Sequence, residues 1–446
     1  MKGRAMKGFF LFLFLLPLFS CAETEPYEAW LDQRGTDKDD FAYSIAVDGA
    51  GNAYATGSTG GSLGGENAGF RDVFLAKYDP SGGRLWLVQT GTAAWEEAYS
   101  TAVDGSGNVY VAGYTFGNMD GQKRAGIYDL FLVKFDPEGN KLWLRLAGTS
   151  EHDYAYSVAV DSAGNAYVAG YTNGAFEGRQ NAGGADIFLL KFDPEGNLIW
   201  SRQMGTPSDD IAYAVAVEPG GGALIAGYTG GGLDGGVYSG SWDAFLVRFD
   251  AGGNKLWSKQ LGTPSWDEAW AVAVDGAGNA YMAGYTGGDF DGAKGSGAFD
   301  VFLMKFDREG NKLWLRLAGT PEHDYARSVA VDAAGNAYVA GYTEGALGAK
   351  NAGGADPFVL KFDPEGKKLW AFQTGSPAGD YAFSLAVDSS GSVYAAGETS
   401  GGLDGKQNSG AHDLFVLKAN PPLELSLWQK ITLSLKMTLK KLGVGK

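Results

Sequence analysis

The 446-residue chain contains one cysteine, Cys21, and three histidines, His152, His323 and His412. A single thiol excludes an intrachain disulfide, so the fold must hold without covalent staples. No H-x-x-x-H, H-E-x-x-H or Cys/His spacing of a zinc site is present. No G-x-S-x-G elbow stands between a strand and a helix, no Gly-Lys-Ser or Gly-Lys-Thr phosphate loop occurs, and no D-x-[DN]-x-[DN]-G calcium loop is found. Nucleophilic and metal catalysis thus have no visible constellation, and a non-enzyme is expected. Basic charge is also in deficit. The net charge of −16 repels phosphate backbones and anionic head groups, so the main domain is not expected to bind nucleic acid. Apolar runs are short; the longest, Phe9 to Phe19, falls below the length of a membrane span.

Repetition is what the chain has in abundance. Ser157–Thr172, SVAVDSAGNAYVAGYT, recurs at Ser44–Thr59, Ser100–Thr115, Ala214–Thr229, Ala271–Thr286, Ser328–Thr343 and Ser384–Thr399. The Val before the acidic residue falls at Val47, Val103, Val160, Val217, Val274, Val331 and Val387, in steps of 56 or 57 residues. That period indicates a propeller or solenoid. The 70 glycines, without a G-X-Y rhythm and beside 45% hydrophobic residues, fit many tight turns in a packed protein.

Each unit reads as four strands: AYSVAVD, NAYVAGYT, DIFLLKFD, and an outer strand carrying Trp86, Trp143, Trp200, Trp257, Trp314 or Trp370. Alternating apolar and polar residues bounded by Gly, Asn, Asp and Pro give the strand signal. D-x-x-G-N and D-P-E-G-N supply hairpin turns. A longer Gly-rich link joins strands two and three, and one apolar residue in it (Leu63, Met119, Phe176, Leu233, Phe290, Leu347 or Leu403) is expected to plug the loop onto its blade.

The chain opens with a fourth-strand equivalent around Trp30 and ends its repeats with a third-strand equivalent, Asp413–Lys418. Only a ring uses both ends: the Trp30 strand completes the last blade and removes free edges. The expected fold is an all-β, seven-bladed β-propeller with four antiparallel strands per blade, spanning residues 28–420, and a monomer is expected.

The pattern D-x-F-[LV]-x-K-[FY]-D-x-x-G-x-x-[LI]-W … A-V-D-x-x-G-N-x-Y-V-A-G-x-T resembles the bacterial β-propeller repeat called the SBBP repeat, over Trp30 to Lys418, and the strand order is similar to the kelch arrangement. The resemblance implies exported or surface-anchored proteins with no common catalytic activity. Kelch-like copper oxidases need a site cysteine, which the propeller lacks. A second periodicity overlies the first: KLWLRLAGT, EHDYA and NAGGAD each recur about three units apart, as if a three-blade block had been copied.

Residues 1–20 read as a signal peptide, with Lys2, Arg4 and Lys7 before the apolar run. Leu18-Phe19-Ser20-Cys21 resembles a lipobox, which implies lipidation of Cys21, a linker over 21–27 and an exported lipoprotein anchored at the cell envelope, with Ala22 directing it to the outer membrane of a Gram-negative host. The segment 421–446 is basic and amphipathic in either strand or helix register, and is expected to pack on the rim or end loosely rather than to contact a membrane.

Acidic residues recur as rings. Asp40, Glu96, Asp153, Asp210, Asp267, Asp324 and Asp380 open each first strand, and Asp72, Asp129, Asp186, Asp243, Asp300, Asp356 and Asp413 open each third. Turn capping explains both rings. The first ring is also the weak candidate for calcium, and paired carboxylates on this face are what a hydrolase or lyase acting on polysaccharide would need. No other cofactor is expected. An asymmetric site should lie where repeats disagree. Arg327 stands where other units carry Tyr43, Tyr99, Tyr156, Tyr213, Trp270 and Phe383; Glu398 replaces the Tyr of Tyr114, Tyr171, Tyr228, Tyr285 and Tyr342; Trp95, Trp242 and Trp266 are additional loop aromatics. These five are the candidate contacts for a protein or glycan ligand.

Overall fold

The computed structural model describes residues 27–420 of the chain. The signal segment, Cys21 and its linker, and the tail 421–446 lie outside the described residues.

The chain begins with β1 (Tyr27–Arg34) and then lays down the first blade as β2 (Asp40–Val47), β3 (Ala53–Thr59), β4 (Asp72–Tyr78) and β5 (Arg84–Thr90). Five further blades repeat this order, each a four-stranded antiparallel sheet. The seventh takes its inner three strands from Asp380–Val387, Val393–Thr399 and Asp413–Asn420, and its outer strand from β1, which runs antiparallel to Asp413–Asn420 with Leu31 opposite Leu417. The ring is therefore closed by joining the two ends of the repeat region, as the phase of the repeats predicts, and both free sheet edges are consumed within it.

The first strand of each blade is the innermost, because it packs against the first strands of both neighbouring blades. Serine hydroxyls stitch these inner strands together: Ser44 Oγ accepts the Thr101 amide at 3.0 Å, Ser100 the Val158 amide at 3.0 Å, and Ser384 the Ile45 amide across the closure at 3.2 Å. Between blades lie apolar layers built from second and third strands, in which Tyr54, Phe74, Tyr110, Phe131, Phe188 and Phe245 are fully buried. The predicted loop plugs hold: Met119, Phe176, Leu233, Phe290 and Leu403 are buried, and Leu63 and Leu347 pack on their cores.

The outer-strand tryptophans clamp neighbouring blades. Each indole N–H donates to a carbonyl in the next blade's outer hairpin: Trp30 to Pro80 (3.3 Å), Trp86 to Pro137 (3.2 Å), Trp143 to Pro194 (3.0 Å), Trp257 to Arg308 (3.1 Å) and Trp314 to Pro364 (3.0 Å). Trp370 packs against Leu385 and Val393 of the seventh blade.

Candidate functional site

Loops joining strands two to three, and the turns entering each first strand, gather at one end of the ring. The fourth residue of every first strand is a β-bulge there: pairing jumps from Ala42 to Ser44, from Ala98 to Ser100, and likewise in all seven blades. A bulge leaves one residue unpaired and re-aims its side chain. The bulged residues are Tyr43, Tyr99, Tyr156, Tyr213, Trp270, Arg327 and Phe383. Opposite each bulge stands a glycine; a Cβ on Gly57 would overlap the Phe41 carbonyl, so only glycine permits the close crossing.

The bulged side chains form a collar around the channel. Ring centroids run Tyr43–Tyr99 5.1 Å, Tyr99–Tyr156 5.2 Å, Tyr156–Tyr213 5.2 Å and Tyr213–Trp270 3.8 Å, and Phe383 meets Tyr43 at 5.5 Å. Arg327 fills the remaining place with its guanidinium 3.8 Å from the Trp270 ring centre, a cation–π contact. A second aromatic layer lies over the collar. Tyr114, Tyr171, Tyr228, Tyr285 and Tyr342 come from second strands, and Tyr154, Tyr325 and Tyr381 from two residues before the bulge in their blades; Tyr114 meets Tyr154 at 4.5 Å and Tyr342 meets Tyr381 at 4.8 Å.

Charge breaks this lining in two sectors. In the fifth and sixth blades Glu268, 2% exposed, accepts hydrogen bonds from the Tyr285 hydroxyl and from the Trp270 indole at 2.9 Å. Burial pushes its carboxyl above the ordinary glutamate range, with Tyr285, the Arg327 charge and Trp270 opposing. Arg327 donates to the Tyr342 hydroxyl at 2.9 Å, and its buried Nε has no acceptor among the described residues. Nearby, Trp242 stacks on Tyr228 at 4.4 Å and on Trp266 at 5.3 Å, and Trp266 is 46% exposed.

The other sector spans the seventh, first and second blades. Arg71 donates to Glu97 at 3.0 Å and Asp39 at 3.2 Å, with its guanidinium 4.7 Å from the Phe41 ring and 5.3 Å from Trp95. The Tyr99 hydroxyl adds a 2.6 Å bond to Glu97. Glu398 lies beside this group. Burial and the Asp39 charge raise its carboxyl from 4.5 to about 7, against the pull of Arg71.

All five predicted site residues thus reach the same end of the ring, but not one pocket: Arg327, Trp242 and Trp266 share one sector, Trp95 and Glu398 the other. Sequence comparison missed Glu97, Glu268, Asp39, Arg71 and His412. The signal for the first two was legible, since they stand where other units carry Phe41, Tyr154, Tyr325 and Tyr381.

The acidic rings are turn devices. Asp40 takes the Thr36 amide at 2.5 Å, the Thr36 hydroxyl at 2.9 Å and the Thr59 hydroxyl. Glu96, Asp153, Asp210, Asp267, Asp324 and Asp380 accept the equivalent Thr or Ser amide. Each carboxylate of this ring is thus already taken up by amide and hydroxyl donors of its own turn. The second ring caps the long loop; Asp72 accepts the Ala68 amide and the Gln89 side chain, both at 2.9 Å. Its other oxygen lies against Gly91, where a Cβ would overlap it, and the same clash meets Gly35, Gly205, Gly262, Gly319 and Gly375. Among the described residues no three His, Cys, Asp or Glu side chains converge as metal ligands.

A closed seven-bladed propeller with a polar, aromatic mouth is the class these features define. The family model described as "Beta-propeller repeat", the SBBP repeat, matches residues 35–64, 142–177, 256–291, 313–348 and 369–404. The chain thus carries SBBP β-propeller repeats. Each of the four longer matches starts in an outer strand and ends after the next blade's second strand, the same offset that makes β1 complete the last blade. A regulatory protein of Caulobacter vibrioides, FlaEY, is 26% identical over 253 residues, covering 48% of this chain and 26% of its own. An uncharacterized WD repeat-containing protein of Acanthamoeba polyphaga mimivirus is 22% identical over 434 residues, covering 74% of this chain and 31% of its own. The chain thus spans only about a quarter to a third of these relatives. The solved structure of BBS1N in complex with ARL6DN superposes with a TM-score of 0.50 at 9% identity, covering 91% of this chain and 99% of that one, a likeness of fold.

Proposed function

We propose that this protein is an exported, lipid-anchored propeller that acts as a non-catalytic binding module at the bacterial cell envelope, holding a protein or glycan ligand at its channel mouth. The carrying observation is the collar: seven bulges aim six aromatic rings and one guanidinium at the axis, while carboxylates interrupt the lining in only two sectors. Repeated turns need no such asymmetry; recognition of one ligand does. Trp95 and Trp266, 42% and 46% exposed, place flat apolar faces beside carboxylates, a combination that holds sugars or peptides. A glycan and peptide array probed with the purified protein tests the reading: binding lost on Trp270→Ala supports it, and an array without hits overturns it. Replacing Cys21 by Ser should release the protein from membranes; unchanged fractionation removes the anchor.

The polysaccharide-cleaving alternative draws no support from the acidic rings, whose carboxylates all sit in equivalent turns. Calcium stabilisation is tested by melting with and without chelator, and an unchanged midpoint, expected from the donor-ringed carboxylates, removes it.

A further inference from the structure

The second aromatic layer has a two-blade gap. Five of its seven second-strand positions are tyrosines, but the seventh blade supplies Glu398 and the adjacent first blade supplies Ser58. Two large rings are therefore absent side by side, at the seam where β1 pairs with Asp413–Asn420 to close the ring. Glu398 pairs across the sheet with Tyr381 and Leu414, and Ser58 with Phe41 and Val73, so the gap is walled by aromatic and apolar residues.

The groups in this notch are short of donors. Glu398 Oε2 is buried and accepts no hydrogen bond among the described residues. His412 Nδ1 stands 3.6 Å away, long for a hydrogen bond, and is 3.2 Å from Ser400 Oγ. Ser58 is fully buried, with its Oγ beside the Tyr43 hydroxyl. Arg71 is held by Glu97 and Asp39 and makes no hydrogen bond to Glu398. Three carboxylates, Glu398, Glu97 and Asp39, thus share one guanidinium. Glu268, the comparable acid across the ring, is satisfied by Tyr285 and Trp270. A buried acceptor left without a donor is costly, and a ligand that brings the donor recovers that cost.

Resting on the mouth as the binding face, we propose that the Glu398–Ser58 notch receives a lysine or arginine side chain of a polypeptide ligand. The cation supplies hydrogen bonds to Glu398 Oε2 and Ser58 Oγ, balances the surplus carboxylate, and lays its aliphatic stem against Phe41 and Tyr381. Trp95, exposed beside Arg71, offers a face to flanking residues of the same peptide.

The test is calorimetric titration of the full chain with a pentapeptide carrying a central lysine, and with the same peptide carrying acetyl-lysine, which keeps the stem and removes the charge. The lysine peptide should bind at least tenfold tighter. Glu398→Gln should weaken it about tenfold, and Glu398→Tyr, which installs the residue that five other blades carry at this place, should abolish binding while near-ultraviolet circular dichroism stays unchanged. Equal affinity for the acetylated peptide, or unchanged binding in the folded Glu398→Tyr variant, overturns the proposal. If array ligands are lost on Trp270→Ala but persist in Glu398→Tyr, the notch assignment fails while the mouth remains the binding face.

Discussion

Replacing Glu398 by Gln should make the protein more stable at pH 8 and have little effect at pH 5. The unfolded glutamate titrates near 4.5, whereas burial and Asp39 move the folded carboxyl to about 7. The folded state therefore holds this proton more tightly than the unfolded state. Above about 7 both states are ionised and the buried charge weakens the fold. As pH falls through 7 toward 4.5 the folded carboxyl is protonated first, and the penalty fades. A rise of this size corresponds to roughly 3 kcal/mol at high pH. The side chain is only 12% exposed, so solvent screening reduces the figure little. Glutamine keeps the shape and carries no charge, so the stability difference between the two proteins isolates this one group. The raised aspartates of the first ring, such as Asp40 and Asp153, and the lowered Asp48 and Asp161 of the inner hairpins, contribute equally to both and cancel. Urea unfolding followed by tryptophan fluorescence at pH 5, 6, 7 and 8 measures the difference. The gain from glutamine should grow steadily from pH 5 to 7 and level off by 8. A difference that does not change with pH would refute the reasoning, because it would mean that Glu398 titrates alike in both states.

Other perturbations follow from the framework. Trp143→Ala removes a half-buried indole together with its bond to Pro194 and the Arg145 contact, and should cost about 3 kcal/mol in the same urea titration. Gly91→Ala drives a methyl into the Asp72 carboxylate, whereas Gly105→Ala meets nothing within 4 Å, so only the first should lower the melting midpoint, by the equivalent of about 2 kcal/mol.

The ring was legible because a propeller is written in the period and phase of its repeats. Val47 and its six equivalents gave the blade count, and Trp30 at the start with Asp413–Lys418 at the end gave the closure. The turn role of Asp40 and its equivalents was legible for the same reason: a residue present in every blade serves the blade. The collar was not legible. Tyr43 reads as one polar-face position of an alternating strand, and nothing in that alternation marks the bulge that turns it to the axis. Arg71 and His412 precede third strands in loops of variable sequence, so their approach to Glu97 and Glu398 depends on how neighbouring blades pack. One pair of exceptions shows the same limit. The fourth blade carries Glu218 and Arg248, a buried ion pair, where other blades pair Asp161 with Lys191 or Asp275 with Lys305. Both changes are visible along the chain, but their compensation appears only when the inner hairpin and third strand are seen side by side.

The most direct test of the account is to probe one glycan and peptide array with the wild-type protein and with Trp270→Ala, a substitution confined to the collar. The account predicts a defined set of ligands for the wild type that the variant no longer binds. Ligands retained in full by a folded Trp270→Ala protein would contradict it, because the binding surface would then lie elsewhere on the ring.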